Sequence, residues 1–215
     1  IELSVDEVWG YLTGKGNFRN EIAVTAPYKG TRIAEKPYHF QLLREYMERA
    51  WGFEVVDGME ADDALGVFAT DPVEADAGHI LCSPDKDMRQ IPGQLFDLTN
   101  PVTEITKEMG DRWHLIQTMS GDQTDGYGGV PGIGIKRAVA LFEKKGWTWD
   151  TVVETFEEKG LTADDALSNA RLAKILQYEN FDRDTNTPVL WTPTSSNGAD
   201  NGATVQAETA DGSST

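Results

Sequence analysis

The sequence is poor in positive charge and in cysteine, and it has no long apolar run. Its 215 residues include 19 Lys and Arg against 36 Asp and Glu, a formal net charge of −17, and a single cysteine. One cysteine excludes a disulfide scaffold, and three scattered histidines match no zinc-binding spacing. Because no run of about 18 apolar residues occurs, the sequence predicts neither a membrane-spanning helix nor a membrane partner.

The negative charge is concentrated in one part of the chain. Residues 57–125 contain 15 acidic and 4 basic residues, whereas the first 56 residues are nearly balanced. A net negative charge alone argues against nucleic-acid binding. Here, however, the acidic residues form tight clusters between apolar segments, and this pattern indicates a bound cation rather than a uniformly acidic surface.

Alternating apolar patterns predict an α/β fold with helices on the faces of a sheet. Helices are predicted over 37–51, 62–70 and 111–119, and strands over 53–57, 79–83 and 95–98. From Gly121 the sequence becomes glycine-rich and then shows helical patterns over 136–145, 149–159 and 162–179. We therefore predict an α/β core over 1–120, a helical module over 121–191 and a disordered tail over 192–215, because the tail has too few apolar residues to bury a core.

Three clusters of carboxylates follow predicted strands or begin predicted helices. Their members are Glu60, Asp62, Asp63, Asp85, Asp87, Asp122 and Asp125. Each cluster alone also suits a helix N-terminus, a turn or an ordinary loop. If they converge, however, their mutual repulsion requires cations. Oxygen ligands select Mg²⁺ or Mn²⁺, and two such ions can support phosphodiester hydrolysis.

A glycine-rich turn leads directly into the helix predicted over 136–145. It contains Gly129, Gly132 and Gly134 and is followed by Lys136 and Arg137. Glycines allow a phosphate to approach the backbone, and a helix N-terminus attracts anions. The Walker A pattern is absent, and an ordinary glycine-rich connection is the alternative interpretation.

Five motifs, in this order along the chain, resemble those of the 5′ nuclease superfamily of flap endonucleases and 5′→3′ exonucleases. They are YKGTR (28–32), MEADDALG (59–66), SPDKDM (83–88), MSGDQTDGYGG (119–129) and VPGIGIKRA (130–138). The segment RWHLIQTMSGDQTDGYGG and the later GLTADDAL (160–167) are most similar to the replication exonucleases of short-tailed bacteriophages.

The resemblance implies a PIN-like nuclease core with a mostly parallel sheet, followed by a helix–three-turn–helix. The seven carboxylates would bind two Mg²⁺ or Mn²⁺ ions. Lys29 and Arg32 would contact the scissile phosphate, and Gly129–Arg137 would grip duplex DNA through its phosphates and hold K⁺. The implied function is two-metal 5′→3′ DNA exonuclease activity, with flap cleavage as a related activity, on DNA with a 5′ end or flap. The implied setting is phage DNA replication or degradation in the bacterial cytoplasm, with phage replication proteins as partners.

Two departures from the family pattern weaken the metal site. The family's first strand carries an Asp, and no such strand precedes Ile1; the segment YLTGKGN (11–17) also lacks the carboxylate that often precedes the Phe-Arg pair. We therefore expect that the N-terminal strand is missing and that this chain has weak or no activity. The alternatives are a catalytically impaired DNA-binding fragment and a PIN-type ribonuclease, which lacks the turn over 129–137.

Overall fold

The structure is a computed structural model and describes residues 3–24, 26–30, 35–75 and 78–193. Its helices are α1 (Arg19–Ile22), α2 (Phe40–Trp51), α3 (Ala61–Ala69), α4 (Pro72–Ala75), α5 (Lys107–Ser120), α6 (Ile135–Lys145), α7 (Trp149–Glu157) and α8 (Ala163–Ala173). Its strands are β1 (Tyr11–Thr13), β2 (Glu54–Val56), β3 (Ile80–Cys82), β4 (Gly93–Phe96), β5 (Thr103–Ile105), β6 (Gly121–Asp122), β7 (Tyr127–Gly128), β8 (Phe181–Asp182) and β9 (Thr187–Pro188). Lys86–Gln90 and Tyr178–Asn180 form 3₁₀ helices.

The predicted α/β class with flanking helices is confirmed, and the strands expected to form a mostly parallel sheet are partly parallel. Strands β1 and β2 pair in parallel, β3 and β4 pair in parallel, and β5 runs antiparallel to β4. Among the described residues, these strands form a two-stranded and a three-stranded sheet, and β6–β7 and β8–β9 are small hairpins. Helix α3 lies across both larger sheets, because the Phe68 ring stacks on Trp9 ahead of β1 and lies 5.9 Å from the His79 ring ahead of β3.

The carboxyl ends of the strands lead into two of the predicted carboxylate clusters. Strand β2 leads to Glu60, which precedes α3, and β3 leads to Asp85, which precedes the first 3₁₀ helix. The Thr13 hydroxyl at the end of β1 accepts a hydrogen bond from the Ala61 backbone N–H at 3.0 Å. The carboxyl end of β1 and the start of α3 are therefore in contact.

Helices α5 to α8 share one hydrophobic core. Ile116 and Met119 of α5 pack with Phe142 of α6, Phe156 of α7 and Ala166 of α8. The predicted boundary at residue 120 lies between the acidic motifs and the helical motifs of the sequence. It does not separate two hydrophobic cores, because α5, which ends there, packs in the same core as α6 to α8. No helix in the described ranges has the length and apolar character needed to cross a membrane. The tail predicted to be disordered lies, beyond residue 193, outside the described residues.

Helix α8 ends at Ala173, six residues before the predicted end. Residues 174–177 are extended, because buried side chains from the first half of the chain bind their backbone: the Asp63 carboxylate accepts the Leu176 N–H at 3.0 Å, and the Gln90 side-chain oxygen accepts the Ile175 N–H at 3.1 Å. Gln90 also donates to the Ala173 carbonyl at 2.6 Å. We call residues 172–177 the strap.

Lys174 in the strap is a buried cation whose replacement should stabilise the fold. Its residue is 4% exposed, and burial, opposed by Asp111, lowers the pKa of Lys174 to about 8 from 10.5. Between these two values the unfolded chain binds more protons than the native one, so the stability contributed by this residue rises with pH and is lost as pH falls.

We expect Lys174→Met to raise the free energy of unfolding by about 1–3 kcal/mol at pH 7, because an apolar side chain replaces a desolvated charge. The gain should shrink between pH 8 and pH 10.5. Urea unfolding at several pH values measures both effects, and an equal destabilisation at every pH would contradict this account.

Candidate active site

Six of the seven predicted carboxylates form two neighbouring groups, each arranged around a lysine. The first group surrounds Lys29 and the second surrounds Lys86. Their members are Glu60, Asp62 and Asp125 in the first group, and Asp85, Asp87 and Asp122 in the second.

In the first group, Lys29 and Tyr28 connect Glu60 to Asp125. The Lys29 ammonium bonds to the Glu60 carboxylate and lies 3.8 Å from Asp125 Oδ1. The Tyr28 hydroxyl lies 2.8 Å from Glu60 Oε2 and 3.1 Å from Asp125 Oδ2. The Lys29 backbone has a φ of 53° and donates its N–H to the Asp125 carbonyl at 2.7 Å. A left-handed backbone at a lysine is strained, and here it directs the ammonium into the acidic group.

Asp62 belongs to the first group through its charge environment. Burial, the largest cause, raises the pKa of Asp62 to about 7, and the neighbouring Asp63 and Glu60 raise it further, against Arg19 and Lys29. A cation that binds close to a carboxyl group with a raised pKa lowers that pKa and favours the ionised form.

In the second group, Lys86 bridges two elements. Its ammonium lies 2.9 Å from Asp87 Oδ1 and 3.2 Å from Asp122 Oδ2. Burial alone would lower the pKa of Lys86, but the bonds to both carboxylates raise it to about 12. Burial raises the pKa of Asp87 despite Lys86. Asp85 caps the 3₁₀ helix by accepting the Asp87 N–H at 2.9 Å.

The β6–β7 turn joins the two groups into one site. Asp122 lies in the second group and Asp125 in the first, and Asp122 Oδ1 accepts the backbone N–H groups of Thr124 at 2.8 Å and Asp125 at 3.3 Å. Tyr127 is buried, and burial together with the charges of Asp87, Asp122 and Asp125 raises its pKa. Its hydroxyl therefore experiences carboxylates of both groups.

Asp63 differs from the other predicted metal ligands. It is 0% exposed, and it accepts two hydrogen bonds from Arg19, at 2.6 and 2.8 Å, and one each from the backbone N–H groups of Glu60 and Leu176. Each oxygen accepts two bonds, so neither is free to bind a cation. Asp63 is therefore a structural partner of Arg19, in contrast to the metal-ligand role predicted for it.

The donor set of the two groups fits a hard divalent cation. All of the donors are carboxylate oxygens, and each group already holds a positively charged ammonium between acidic residues from different elements. Within the ranges that the structure describes, no three or more Asp, Glu, His or Cys side chains form a ready-made metal-binding group. The carboxylates are paired across lysines instead.

The glycine-rich turn has glycines of two kinds. Gly129 is needed for packing, because a Cβ there would lie 2.1 Å from the Ser120 carbonyl carbon, and Gly132 has a φ of +78°. Gly134 precedes α6 with a φ of −97° and no atom within 4 Å of an added Cβ. The fold therefore does not require glycine at 134. Lys136 is exposed, and Arg137 donates to the Gly132 carbonyl at 2.6 Å.

Sequence reasoning missed three residues of the site and could not be tested at a fourth. Tyr28, Lys86 and the buried Arg19 are absent from the predicted set; each stands beside or within a motif already noted, which is the only signal the sequence offers. Arg32, predicted as a phosphate contact, lies outside the described residues.

Comparison with known proteins gives two phage relatives and two similar structures. The chain is 31% identical over 220 residues to the exodeoxyribonuclease of Enterobacteria phage T3, covering 86% of this chain and 72% of that protein. It is 30% identical over 218 residues to the exonuclease of Escherichia phage T7, covering 85% and 72%. The T5 D15 protein co-crystallised with metal ions matches with a TM-score of 0.58 at 19% identity, over 77% of this chain and 73% of that one. The zinc-bound T5 5′-exonuclease matches with a TM-score of 0.56 at 19% identity, over 76% and 73%. No family model matches the chain.

An α/β fold with carboxylates gathered at strand ends, followed by a glycine-rich turn and a helix, defines the class of the 5′ nucleases. This chain belongs to the 5′ nuclease family, as a relative of the exonucleases of phages T3 and T7.

Proposed function

We propose that this chain is a metal-dependent 5′→3′ DNA exonuclease that hydrolyses phosphodiesters with two divalent ions, with flap cleavage as a related activity. The observation that carries the proposal is the meeting of two carboxylate groups through the Asp122–Asp125 turn. Carboxylates from three separate parts of the sequence converge there, and positively charged groups lie between them: the ammonium groups of Lys29 and Lys86 and the buried Arg19 guanidinium. Family membership supports the same reaction class.

Six carboxylates are the proposed metal ligands. They are Glu60, Asp62, Asp85, Asp87, Asp122 and Asp125. Mg²⁺ or Mn²⁺ bound there would supply an activated water and would neutralise the charge that develops on the leaving oxygen. The surrounding chain fixes the ligands in advance: Tyr28 holds Glu60 near Asp125, and the turn N–H groups fix Asp122.

Lys29 is the proposed phosphate contact. Its side chain is 23% exposed, at the edge of the first group, so it contacts both the carboxylates and solvent. An ammonium near a scissile phosphate stabilises the negative charge that increases in the transition state. We propose the same role for Arg32 from the resemblance alone.

The start of α6 is the proposed binding site for the DNA backbone. Gly134 leaves open space at the helix N-terminus, where free N–H groups favour an anion. Lys136 adds an exposed positive charge beside it. We therefore propose that residues 121–191 bind duplex phosphates without reading base sequence, while residues 1–120 supply most of the catalytic site. A K⁺ ion at this turn, phage replication proteins as partners and action in the host cytoplasm remain predictions from the resemblance.

A cleavage assay on end-labelled duplex DNA tests the proposal. With Mg²⁺ or Mn²⁺, a 5′ label should be released early as short products, whereas closed circular duplex should remain intact; chelation of the metal should stop the reaction. Absence of both binding and cleavage would show that the proposal is wrong.

A catalytically impaired DNA-binding protein is the second candidate, and one observation favours it. Strand β1 ends at Thr13, and neither Thr13 nor the following Gly14 carries a carboxylate. The Thr13 hydroxyl accepts a hydrogen bond from the Ala61 N–H. Binding of duplex DNA without cleavage in either metal would favour this candidate over the first.

Lys136 should contribute to affinity for DNA of any sequence. Lys136→Glu should weaken duplex binding several-fold at low salt and make its salt dependence shallower, because a phosphate contact that releases counterions is lost. Fluorescence anisotropy across a salt series measures both effects. Lys159→Glu, an equal charge change at an exposed position after α7, is the control, and equal effects of the two variants would show that only net charge matters.

A further inference from the structure

Lys86 is the more exposed of the two lysines that lie between the carboxylates. Its side chain is 47% exposed, compared with 23% for Lys29. Lys29 is further fixed by its backbone bond to Asp125. Because so much of its side chain already faces solvent, the Lys86 ammonium can turn away from the two carboxylates into solvent, whereas the Lys29 side chain is mostly covered.

The Lys86 ammonium occupies the space between Asp87 and Asp122. It lies at 2.9 and 3.2 Å from one oxygen of each. A Mg²⁺ ion bound to the same two oxygens would lie about 2.0–2.1 Å from each, and it would therefore need the space between the two carboxylates that the ammonium fills. The ammonium and the ion cannot share that space, because the two positive charges would repel at contact distance.

We propose that Lys86 is a tethered cation that holds Asp87 and Asp122 together in the metal-free protein and has to move away before a divalent ion binds there. Lys86 thereby raises the metal concentration at which the second group is filled. This inference rests on the proposed function, since it concerns the metal site of that reaction.

Removing the ammonium should have opposite effects on the metal-free and metal-bound protein. Without it, the carboxylates of Asp87 and Asp122 have no ammonium between them, and two like charges at a separation of about 4 Å repel by roughly 1 kcal/mol in water and by several-fold more when partly buried. The metal-free protein should therefore become less stable. The metal no longer has to displace a competitor, so its binding should become tighter. A lysine that only supports the fold would not tighten metal binding when it is removed.

The test compares Lys86→Met with Lys86→Arg and with a matched control. Methionine keeps the length of the side chain without the charge, and arginine keeps the charge. The control is Lys107→Met, which removes a lysine paired with Asp111 at 2.9 Å on α5, outside the two groups. Mn²⁺ binding, followed by electron paramagnetic resonance, gives the dissociation constants, and thermal melting with and without Mn²⁺ gives the stability.

We expect Lys86→Met to bind the weaker of its Mn²⁺ ions about tenfold more tightly, equivalent to about 1.4 kcal/mol, and to melt at a lower temperature without metal. Lys86→Arg and Lys107→Met should keep the parental affinity. If the parent binds Mn²⁺ and Lys86→Met binds it equally or more weakly, the tethered-cation role is wrong while the proposed function stands. If neither protein binds Mn²⁺, both are overturned.

Discussion

Asp122→Asn should reduce DNA cleavage about 10³-fold, a loss of about 4 kcal/mol in transition-state stabilisation. Asp122 is a proposed ligand of the second group, and its carboxylate also pairs with Lys86. The turn should persist, because an asparagine side-chain oxygen can still accept the backbone N–H groups of Thr124 and Asp125. Single-turnover cleavage in Mg²⁺ gives the rate, and circular dichroism checks the fold.

The chain contains a matched control for this substitution. Asp182 is the last residue of β8 and begins the turn of the β8–β9 hairpin. Its carboxylate accepts hydrogen bonds from the N–H groups of Asp184 at 2.9 Å and Thr185 at 3.2 Å, as Asp122 does from the N–H groups of its own turn. It lies outside both carboxylate groups, so Asp182→Asn should cleave at the parental rate. A similar loss of cleavage in both variants would indicate a turn effect and remove Asp122 from the proposed ligands.

Arg19→Met should lower the free energy of unfolding by about 3–5 kcal/mol, the typical cost of leaving one member of a buried ion pair without its partner. Arg19 is 2% exposed and binds Asp63 through two nitrogens. It also donates to the carbonyls of Leu172 at 3.1 Å and Lys174 at 2.6 Å. The substitution therefore leaves a buried carboxylate and two buried carbonyl groups without this donor.

A double-mutant cycle separates the ion pair from these other contacts. Arg19→Met combined with Asp63→Asn should be less destabilising than the sum of the two single changes by at least about 1 kcal/mol, because the double variant has no isolated charge. Arg112→Met, which breaks an exposed pair with Glu108 on α5, should cost less than about 1 kcal/mol. Strict additivity at positions 19 and 63 in urea unfolding would contradict the assigned coupling.

Much of the site could be predicted because strand ends and turns are local features. The segments that end in Asp85 and Glu60 have clear strand or helix patterns before or after them, and the carboxyl ends of strands are where α/β folds place ligand-binding residues. Asp62 and Asp63, in contrast, are adjacent on a helix and point about 100° apart, so they face different surroundings. That geometry could have separated their roles from the sequence alone.

The contacts that could not be predicted join residues far apart in the chain. Nothing local ends α8 at Ala173, since residues 174–179 contain neither Gly nor Pro; Gln90 and Asp63 bind the backbone of the strap instead. The pairing of Arg19 with Asp63 likewise depends on tertiary packing that brings α1 against α3. Local propensity is a weak guide where such partners compete for the backbone.

The strap also limits how this nuclease can be divided into fragments that fold separately. Its backbone completes the hydrogen bonds of Arg19, Asp63 and Gln90, which belong to the sheet-bearing half of the chain. A protein cut at residue 120 would keep these polar groups buried without their partners, and the separated helices would lose α5 from their core. Chimaeras between relatives should therefore fold only when the C-terminal helices are exchanged together with α5. The side chains that bind residues 172–177 have to be exchanged with them. In this fold the helices that we propose bind DNA and the sheet-bearing half depend on each other for folding and are not interchangeable parts.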